Sequence, residues 1–255
     1  MQGRRGETHP FDPLLKSEIL LSAWCPGCGI GTVVNVFLQS VARAKIDPKD
    51  LYLVAGMGCT GRIIDALSVE GRKVADGLSF EYARRYKQDN PARKVVVFLN
   101  DADFITFGVD RFIEAARAGS EILVIYVNSF VYPVVHYEIA DLPPASQSVY
   151  ESREFPFNIP HLALSCGAHH IARWTTVHTK RLSFSIAEAL LLQKFSIIEV
   201  LAPCLMYCAK HYRIKESTER SGSIERAKLD HDEATENLDL RRGDEIVIGK
   251  FGQKE

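Results

Sequence analysis

No apolar stretch of this chain approaches the roughly 18–20 residues that a membrane-spanning helix needs, so the sequence offers no span. Charge of one sign is not in excess either: 31 Lys and Arg stand against 32 Asp and Glu, a formal net charge of −1. That balance removes the electrostatic reason to expect a nucleic acid or an anionic membrane as partner. The first residues carry Arg4 and Arg5 but no apolar core of a secretory signal, which points to the cytoplasm. There is no internal repeat and no linker. Neither a Ser-His-Asp pattern nor a phosphate-cradling G-x-x-x-x-G-K-[ST] loop is present.

What the chain does carry is six cysteines, expected in a compartment where thiols stay reduced. Two of them sit in Trp24-Cys25-Pro26-Gly27-Cys28-Gly29-Ile30-Gly31, too rich in glycine for ordinary core. A tight turn across C-x-x-C brings both Cβ atoms to the same side, so two soft thiolates can aim at one point. Zinc and iron–sulfur centres both favour that donor set. Thioredoxin-like redox pairs share the spacing, so the motif alone does not choose.

At 255 residues and 46% hydrophobic content, the chain can bury the core of one large α/β domain. Residues 51–55, 94–99, 121–127 and 196–201 are apolar, β-branched runs, the pattern of strands buried on both faces. Residues 29–44, 76–88, 104–118 and 182–194 read as helices, with Gly119 as a stop after the third. This alternation predicts a mostly parallel sheet flanked by helices, in a single domain over 1–255. Residues 132–160, with five prolines, read as a long loop or lid. Residues 210–255 read as a charged C-terminal extension in which 245–248 is a candidate edge strand. Glu81, Arg84, Arg85 and Lys87 read as a solvated helix face.

Open α/β sheets bind ligands at the carboxyl ends of their strands. Cys59, in Gly56-Met57-Gly58-Cys59-Thr60-Gly61, follows the first run; Asp101 follows the second, Asn128 the third and Cys204 the fourth. Asp101 and Asn128 offer hard oxygens of the kind Mg²⁺ takes alongside phosphate oxygens. Asp and Asn also stand after strands as plain caps and turn formers. Cys166 reads as core, and Cys208 as a buried free thiol or an alternate thiolate. His169 and His170 are adjacent, so on a strand they point apart and do not share a metal.

Together these elements resemble the β subunit of the 2-oxoacid:ferredoxin oxidoreductases, the thiamine-diphosphate-binding half of those enzymes. The family's W-C-P-G-C-G is matched by Trp24-Cys25-Pro26-Gly27-Cys28-Gly29, its G-C-[ST]-G by Gly58-Cys59-Thr60-Gly61, and its S-P-C by Ala202-Pro203-Cys204. The match runs from about Leu21 to Cys208. It implies a thiamine-diphosphate-binding fold in which Cys25, Cys28, Cys59 and Cys204 ligate one [4Fe–4S] cluster. The family's G-D-G-D stands here as Asn100-Asp101-Ala102-Asp103, and its D-N-x-x-Y-G as Val127-Asn128-Ser129-Phe130-Val131-Tyr132-Pro133. The resemblance implies that Asp101, Asn128 and the carbonyl of Phe130 hold Mg²⁺. Both glycines of the first element are replaced, and a Cβ there can push the backbone away from a diphosphate. The family's H-G-R appears as Glu70-Gly71-Arg72, which puts a carboxylate where a histidine often faces the diphosphate.

The implied activity is thiamine-dependent oxidative decarboxylation of a 2-oxoacid, of the pyruvate or 2-oxoglutarate type. Coenzyme A takes the acyl group, and electrons pass through the cluster to ferredoxin. An α subunit is the implied partner, and it supplies the glutamate that helps to activate the cofactor; no catalytic residue is assigned to this chain. The departures at 70, 100 and 102 keep a second reading open, an iron–sulfur electron-transfer or scaffold subunit that binds no thiamine diphosphate. A structural Zn(Cys)₄ site is a third.

Overall fold

In the computed structural model of the chain, the residues described are 11–16, 23–131, 158–206, 228–229, 241–242 and 245–251. Tyr132, Pro133, Cys208 and the body of the expected lid and C-terminal extension lie outside them. Helices α1 (Gly29–Ala44), α2 (Arg62–Ala66), α3 (Ser79–Asp89), α4 (Val109–Arg117), α5 (Ile159–Ser165) and α6 (Thr179–Leu191) surround one sheet. Its strands are β1 (Leu51–Ala55), β2 (Gly71–Lys73), β3 (Lys94–Leu99), β4 (Ile122–Asn128), β5 (His170–Thr175), β6 (Ser196–Leu201), β7 (Lys228–Leu229), β8 (Arg241–Arg242) and β9 (Glu245–Lys250).

The strand order is β2-β1-β3-β4-β6-β5-β9-β7, with β8 paired to β9. The first six are parallel, and β9 joins β5 antiparallel. The mostly parallel sheet expected from the sequence is therefore the one observed. Alternation of side chains divides each central strand between two cores. Leu53, Val96, Phe98, Ile125, Ile198 and Val200 face α1 and α6. Tyr52, Val54, Val95, Val97, Val124 and Tyr126 face α3, α4 and α5 with Phe80, Phe112 and Ile159. Strands covered on both faces are why the sequence shows unbroken apolar runs rather than alternation.

The chain moves from β1 outward to β2, then crosses back and proceeds from β3 to β4 in the other direction. The reversal opens a crevice beyond the carboxyl ends of β1 and β3, the place where doubly wound sheets take their ligands.

Two expectations are corrected. Residues 104–118 are not one helix: a wide π-helical turn over Ala102–Thr106 is followed by α4, and the break falls at Gly108. A Cβ at Gly108 would lie 2.4 Å from the carbonyl oxygen of Asp103, so only glycine lets the two turns meet there. Lys87 is not a solvated charge. It is buried, donates from Nζ to the carbonyls of Pro91 and Arg93, and pairs with Glu121 at 3.2 Å.

Candidate functional site

The carboxyl end of β3 begins the site. Asn100 accepts the backbone N–H of Asp103 at 2.8 Å, an Asx-type turn that winds the chain into the π-helical turn. Asp101 is thereby driven inward and is 2% exposed. Its Oδ1 accepts the Tyr126 hydroxyl at 2.6 Å; its Oδ2 accepts the Ser129 hydroxyl at 2.6 Å and the Val131 N–H at 2.8 Å. The Ser129 N–H reaches both oxygens at 3.2–3.3 Å. Burial pushes the Asp101 carboxyl above its ordinary value, and these donors from Ser129, Tyr126 and Val131 work against it. A cation beside the group would act in the same direction as the donors.

Asn128 ends β4, the parallel neighbour of β3, and is 3% exposed. Its Nδ2 donates to Glu199 Oε1 at 2.7 Å, while its Oδ1 accepts the Phe130 N–H at 3.1 Å. Phe130 adopts φ +59°, a left-handed conformation that is uncommon for a bulky residue and is concentrated at functional sites. The loop after β6 lies along this segment: Ala202 N donates to Asn128 O at 2.9 Å, and Cys204 N to Ser129 O at 3.1 Å.

Three cysteine-bearing segments meet at the same end of the sheet. Cys28 N closes a turn on Cys25 O at 3.0 Å, with Gly27 at φ +77°. Trp24 Nε1 donates to Cys59 O at 3.0 Å, and Arg62 reaches the Ala23 carbonyl at 2.8 Å. Gly29 is so close to the loop after β6 that a Cβ would stand 2.8 Å from that of Ala202. Cys25 and Cys59 are exposed, while Cys28 and Cys204 are half-buried. Burial pushes the Cys28 thiol up, opposed by the Ile30 N–H and reinforced by Cys59 and Cys25. Cys59 reaches solvent, yet the protein packed round its loop also raises it, with Arg62 opposing and Cys25 adding. Among the described residues no three His, Cys, Asp or Glu side chains close round one ion.

Gly58 links the cysteine loop to the end of β3. A Cβ there would fall 2.0 Å from Asn100 Nδ2, so the side chain that replaces the family's first glycine fills the space this glycine leaves. Thr60 is fully buried, and its hydroxyl has no hydrogen-bond partner. Ala102 is buried in the π-helical turn. Asp103 turns away from Asp101 and accepts the Gly77 N–H at 2.6 Å and the Ser79 hydroxyl at 2.7 Å. Burial lifts its carboxyl to about 7 against those hydrogen bonds, with nearby Asp76 adding.

Glu70 is not brought to this end, whereas Arg72 pairs with Val54, the last residue but one of β1. Glu70 precedes β2 and pairs with Arg93 beside the first residue of β1, at the amino edge of the sheet. Arg72 is exposed with its guanidinium 5.7 Å from the Tyr82 ring centroid. Sequence reasoning missed Tyr126, Ser129 and Glu199. Glu199 left a signal, a lone carboxylate inside the apolar run 196–201.

The residues present fit the groups that the resemblance implies. Asp101, the Asn128 amide oxygen and the Phe130 carbonyl are hard oxygens on adjoining segments, the donor set of Mg²⁺. The unpartnered Thr60 hydroxyl is a buried polar atom that a ligand's oxygen would satisfy. Asn100 Nδ2 beside Gly58 is a donor of the kind a phosphate oxygen accepts. The thiols of Cys25, Cys28, Cys59 and Cys204 are soft donors suited to iron–sulfur ligation.

Comparison with known proteins places this geometry in a lineage. Residues 37–200 match the family described as thiamine pyrophosphate enzyme, C-terminal TPP binding domain. The 2-oxoglutarate synthase subunit KorB of Archaeoglobus fulgidus is 32% identical over 205 residues, covering 79% of this chain and 75% of that protein. Its namesake in Methanothermobacter thermautotrophicus is 29% identical over 250 residues, covering 96% of this chain and 87% of that one. A solved structure of the 2-oxoglutarate:ferredoxin oxidoreductase from Magnetococcus marinus superposes with a TM-score of 0.73 over 91% of this chain and 81% of that chain, at 20% identity, a likeness of fold. The chain belongs to the thiamine pyrophosphate enzymes and, within them, to the β subunits of the 2-oxoacid:ferredoxin oxidoreductases.

Proposed function

We propose that this β subunit, assembled with an α subunit, converts a 2-oxoacid and coenzyme A to acyl-CoA and CO₂. The two electrons released go to ferredoxin, and a [4Fe–4S] cluster, when bound, would supply the one-electron path. The relatives named 2-oxoglutarate synthase favour 2-oxoglutarate over pyruvate as the oxoacid. The observation that carries the reading is the pair Asp101 and Asn128, buried at the carboxyl ends of neighbouring strands, with the Cys59 loop packed against Asn100.

Thiamine diphosphate supplies, when bound, the electron sink that a decarboxylation needs. Asp101, Asn128 and the Phe130 carbonyl would hold Mg²⁺, and Thr60 and Asn100 would serve the diphosphate. Cys25, Cys28, Cys59 and Cys204 hold the cluster. Each thiolate of a cubane binds its own iron, so the cysteines need not converge on a point as they would for zinc. Gly58 keeps the Cys59 loop in contact with the end of β3, which shortens the path for electrons. The chain contributes position and charge rather than a general base.

Anaerobic reconstitution with the α subunit, followed by a screen of 2-oxoacids with a viologen acceptor, tests this. The expected result is viologen reduction that requires 2-oxoglutarate, coenzyme A and thiamine diphosphate together. The side chains at Asn100 and Ala102 favour a second reading, an iron–sulfur subunit that binds no thiamine diphosphate. Absence of thiamine diphosphate binding in the reconstituted complex would establish that reading and overturn the first.

A further inference from the structure

Behind Asn128 lies a buried ion pair that the proposed chemistry does not use. Glu199 is 2% exposed and Arg173 is 1% exposed, and the two are direct cross-strand neighbours on β6 and β5. Glu199 Oε2 accepts Arg173 Nε at 2.7 Å, and Oε1 accepts Asn128 Nδ2 at 2.7 Å. The guanidinium is held in turn by Asn158 Oδ1 at 3.3 Å, by the Val247 carbonyl of β9 at 3.4 Å, and over the Phe251 ring at 5.5 Å from its centroid. A buried pair of this kind is costly to desolvate and is poor evidence of a contribution to stability.

Its arrangement has a directional consequence. A side-chain amide offers donors at one end and an acceptor at the other, a carboxylate only accepts, and a guanidinium only donates. With the Glu199 carboxyl accepting from Arg173 Nε at one oxygen and from Asn128 at the other, the Asn128 amide presents Nδ2 to it, which leaves Oδ1 facing the loop after β4. From this geometry we infer that Glu199, anchored by Arg173, is a positioning residue that fixes the Asn128 amide so that its oxygen, not its nitrogen, meets the divalent cation. The inference rests on the reading of Asn128 as a cation ligand given above. Outer-shell partners of this sort typically alter metal affinity 10–100-fold when changed.

Reversing the polarity of the chain of bonds is the discriminating test. In Glu199→Gln the new side chain must turn its oxygen to Arg173 and its NH₂ to Asn128, so the Asn128 amide inverts and offers nitrogen to the metal. Adding Asn128→Asp to that variant restores every bond. The carboxylate introduced at position 128 then accepts from the NH₂ introduced at position 199 and keeps an oxygen for the cation, with total charge unchanged.

Mn²⁺ binding to the assembled enzyme in the presence of thiamine diphosphate, followed by electron paramagnetic resonance, is the readout. Glu199→Gln is expected to weaken Mn²⁺ about 10–100-fold, and the double variant to recover most of that loss. Asn128→Asp alone, with two carboxylates facing each other, is expected to bind more weakly than the double variant. Circular dichroism and the cluster's visible absorption monitor the fold, and should Glu199→Gln not fold, the double variant against Asn128→Asp still decides. A Glu199→Gln enzyme that binds Mn²⁺ as the wild type does, or an Asn128→Asp enzyme that binds as tightly as the double variant, overturns the inference. Wild-type affinity in Asn128→Ala overturns the ligand assignment beneath it, and the two failures are thereby told apart.

Discussion

At the scale of single residues, Asp101 joins the end of β3 to β4 and the loop after it through at least three donors shorter than 3 Å. Asp101→Ala leaves the Tyr126 hydroxyl and the Val131 N–H facing an empty acceptor position, at about 1–3 kcal/mol for an orphaned buried group. Chemical denaturation is expected to show a loss of about 3 kcal/mol. His170 sets a pH dependence. Burial holds its imidazole down at about 4, against the pull of Glu188 and helped by Lys250 and His169, with its Nε2 at 3.1 Å from the Ser185 hydroxyl. Between about pH 4 and 6.5 the unfolded chain therefore takes up a proton that the fold refuses, so stability falls as the pH falls through that window. At most about 3 kcal/mol is lost on this account, and His170→Phe is expected to flatten the curve of unfolding free energy against pH over that range. The strand-end positions of Asp101 and Asn128 were legible because Asn128 directly follows an apolar run and Asp101 stands one residue beyond another. Glu70 was not, because spacing to a glycine does not say which end of a strand a side chain occupies. Glu199 was visible as a misfit, but its partner Arg173 sits on a strand that the apolar pattern does not reveal.

Elements show the same division. Helix α1 and strands β1, β3 and β6 begin and end where the sequence reading put them, since each is bounded by glycine, proline, asparagine or a charge change. Strand β5 was missed: His170 and Arg173 interrupt its apolar pattern, and the reason for the arginine is a cross-strand glutamate 26 residues away. Strand β2, only Gly71–Lys73, has too few apolar residues to leave a signal. The π-helical turn at Ala102–Thr106 was unreadable because the local Asx-type turn at Asn100 does not announce it, and the further hold on Asp103 by Gly77 and Ser79 is tertiary. The loop after β1 makes its own prediction. A Cβ at Gly61 would stand 2.3 Å from the Gly56 carbonyl oxygen, so Gly61→Ala must open the loop that carries Cys59. Iron content per chain is expected to drop by more than half, a rough figure for loss of one thiolate corner, with circular dichroism unchanged. Full iron occupancy in that variant would separate the loop's shape from cluster retention.

For the whole molecule, the reversal of strand order between β1 and β3 puts the soft-donor loop and the hard-donor residues on two sides of one crevice. Next to the cysteine loops in sequence, three apolar side chains reach solvent: Met57 is 57% exposed, Met206 46% and Leu205 39%. Exposed apolar groups clustered at a site mark a surface that another chain covers. On the proposed assembly, Met57→Glu and Leu205→Glu are each expected to weaken association with the α subunit about tenfold or more, by analytical ultracentrifugation, without lowering the melting temperature.

Ser129 ties the two halves of this end of the molecule together. Its carbonyl receives the Cys204 N–H, and its hydroxyl is bonded to Asp101. On the proposed function, iron loss on one flank would reach the carboxylate on the other through this serine, beside the Ala202–Asn128 bond. Air exposure that bleaches the proposed cluster should accordingly release thiamine diphosphate as well, and retention of bound thiamine by bleached protein would show that the two flanks age independently.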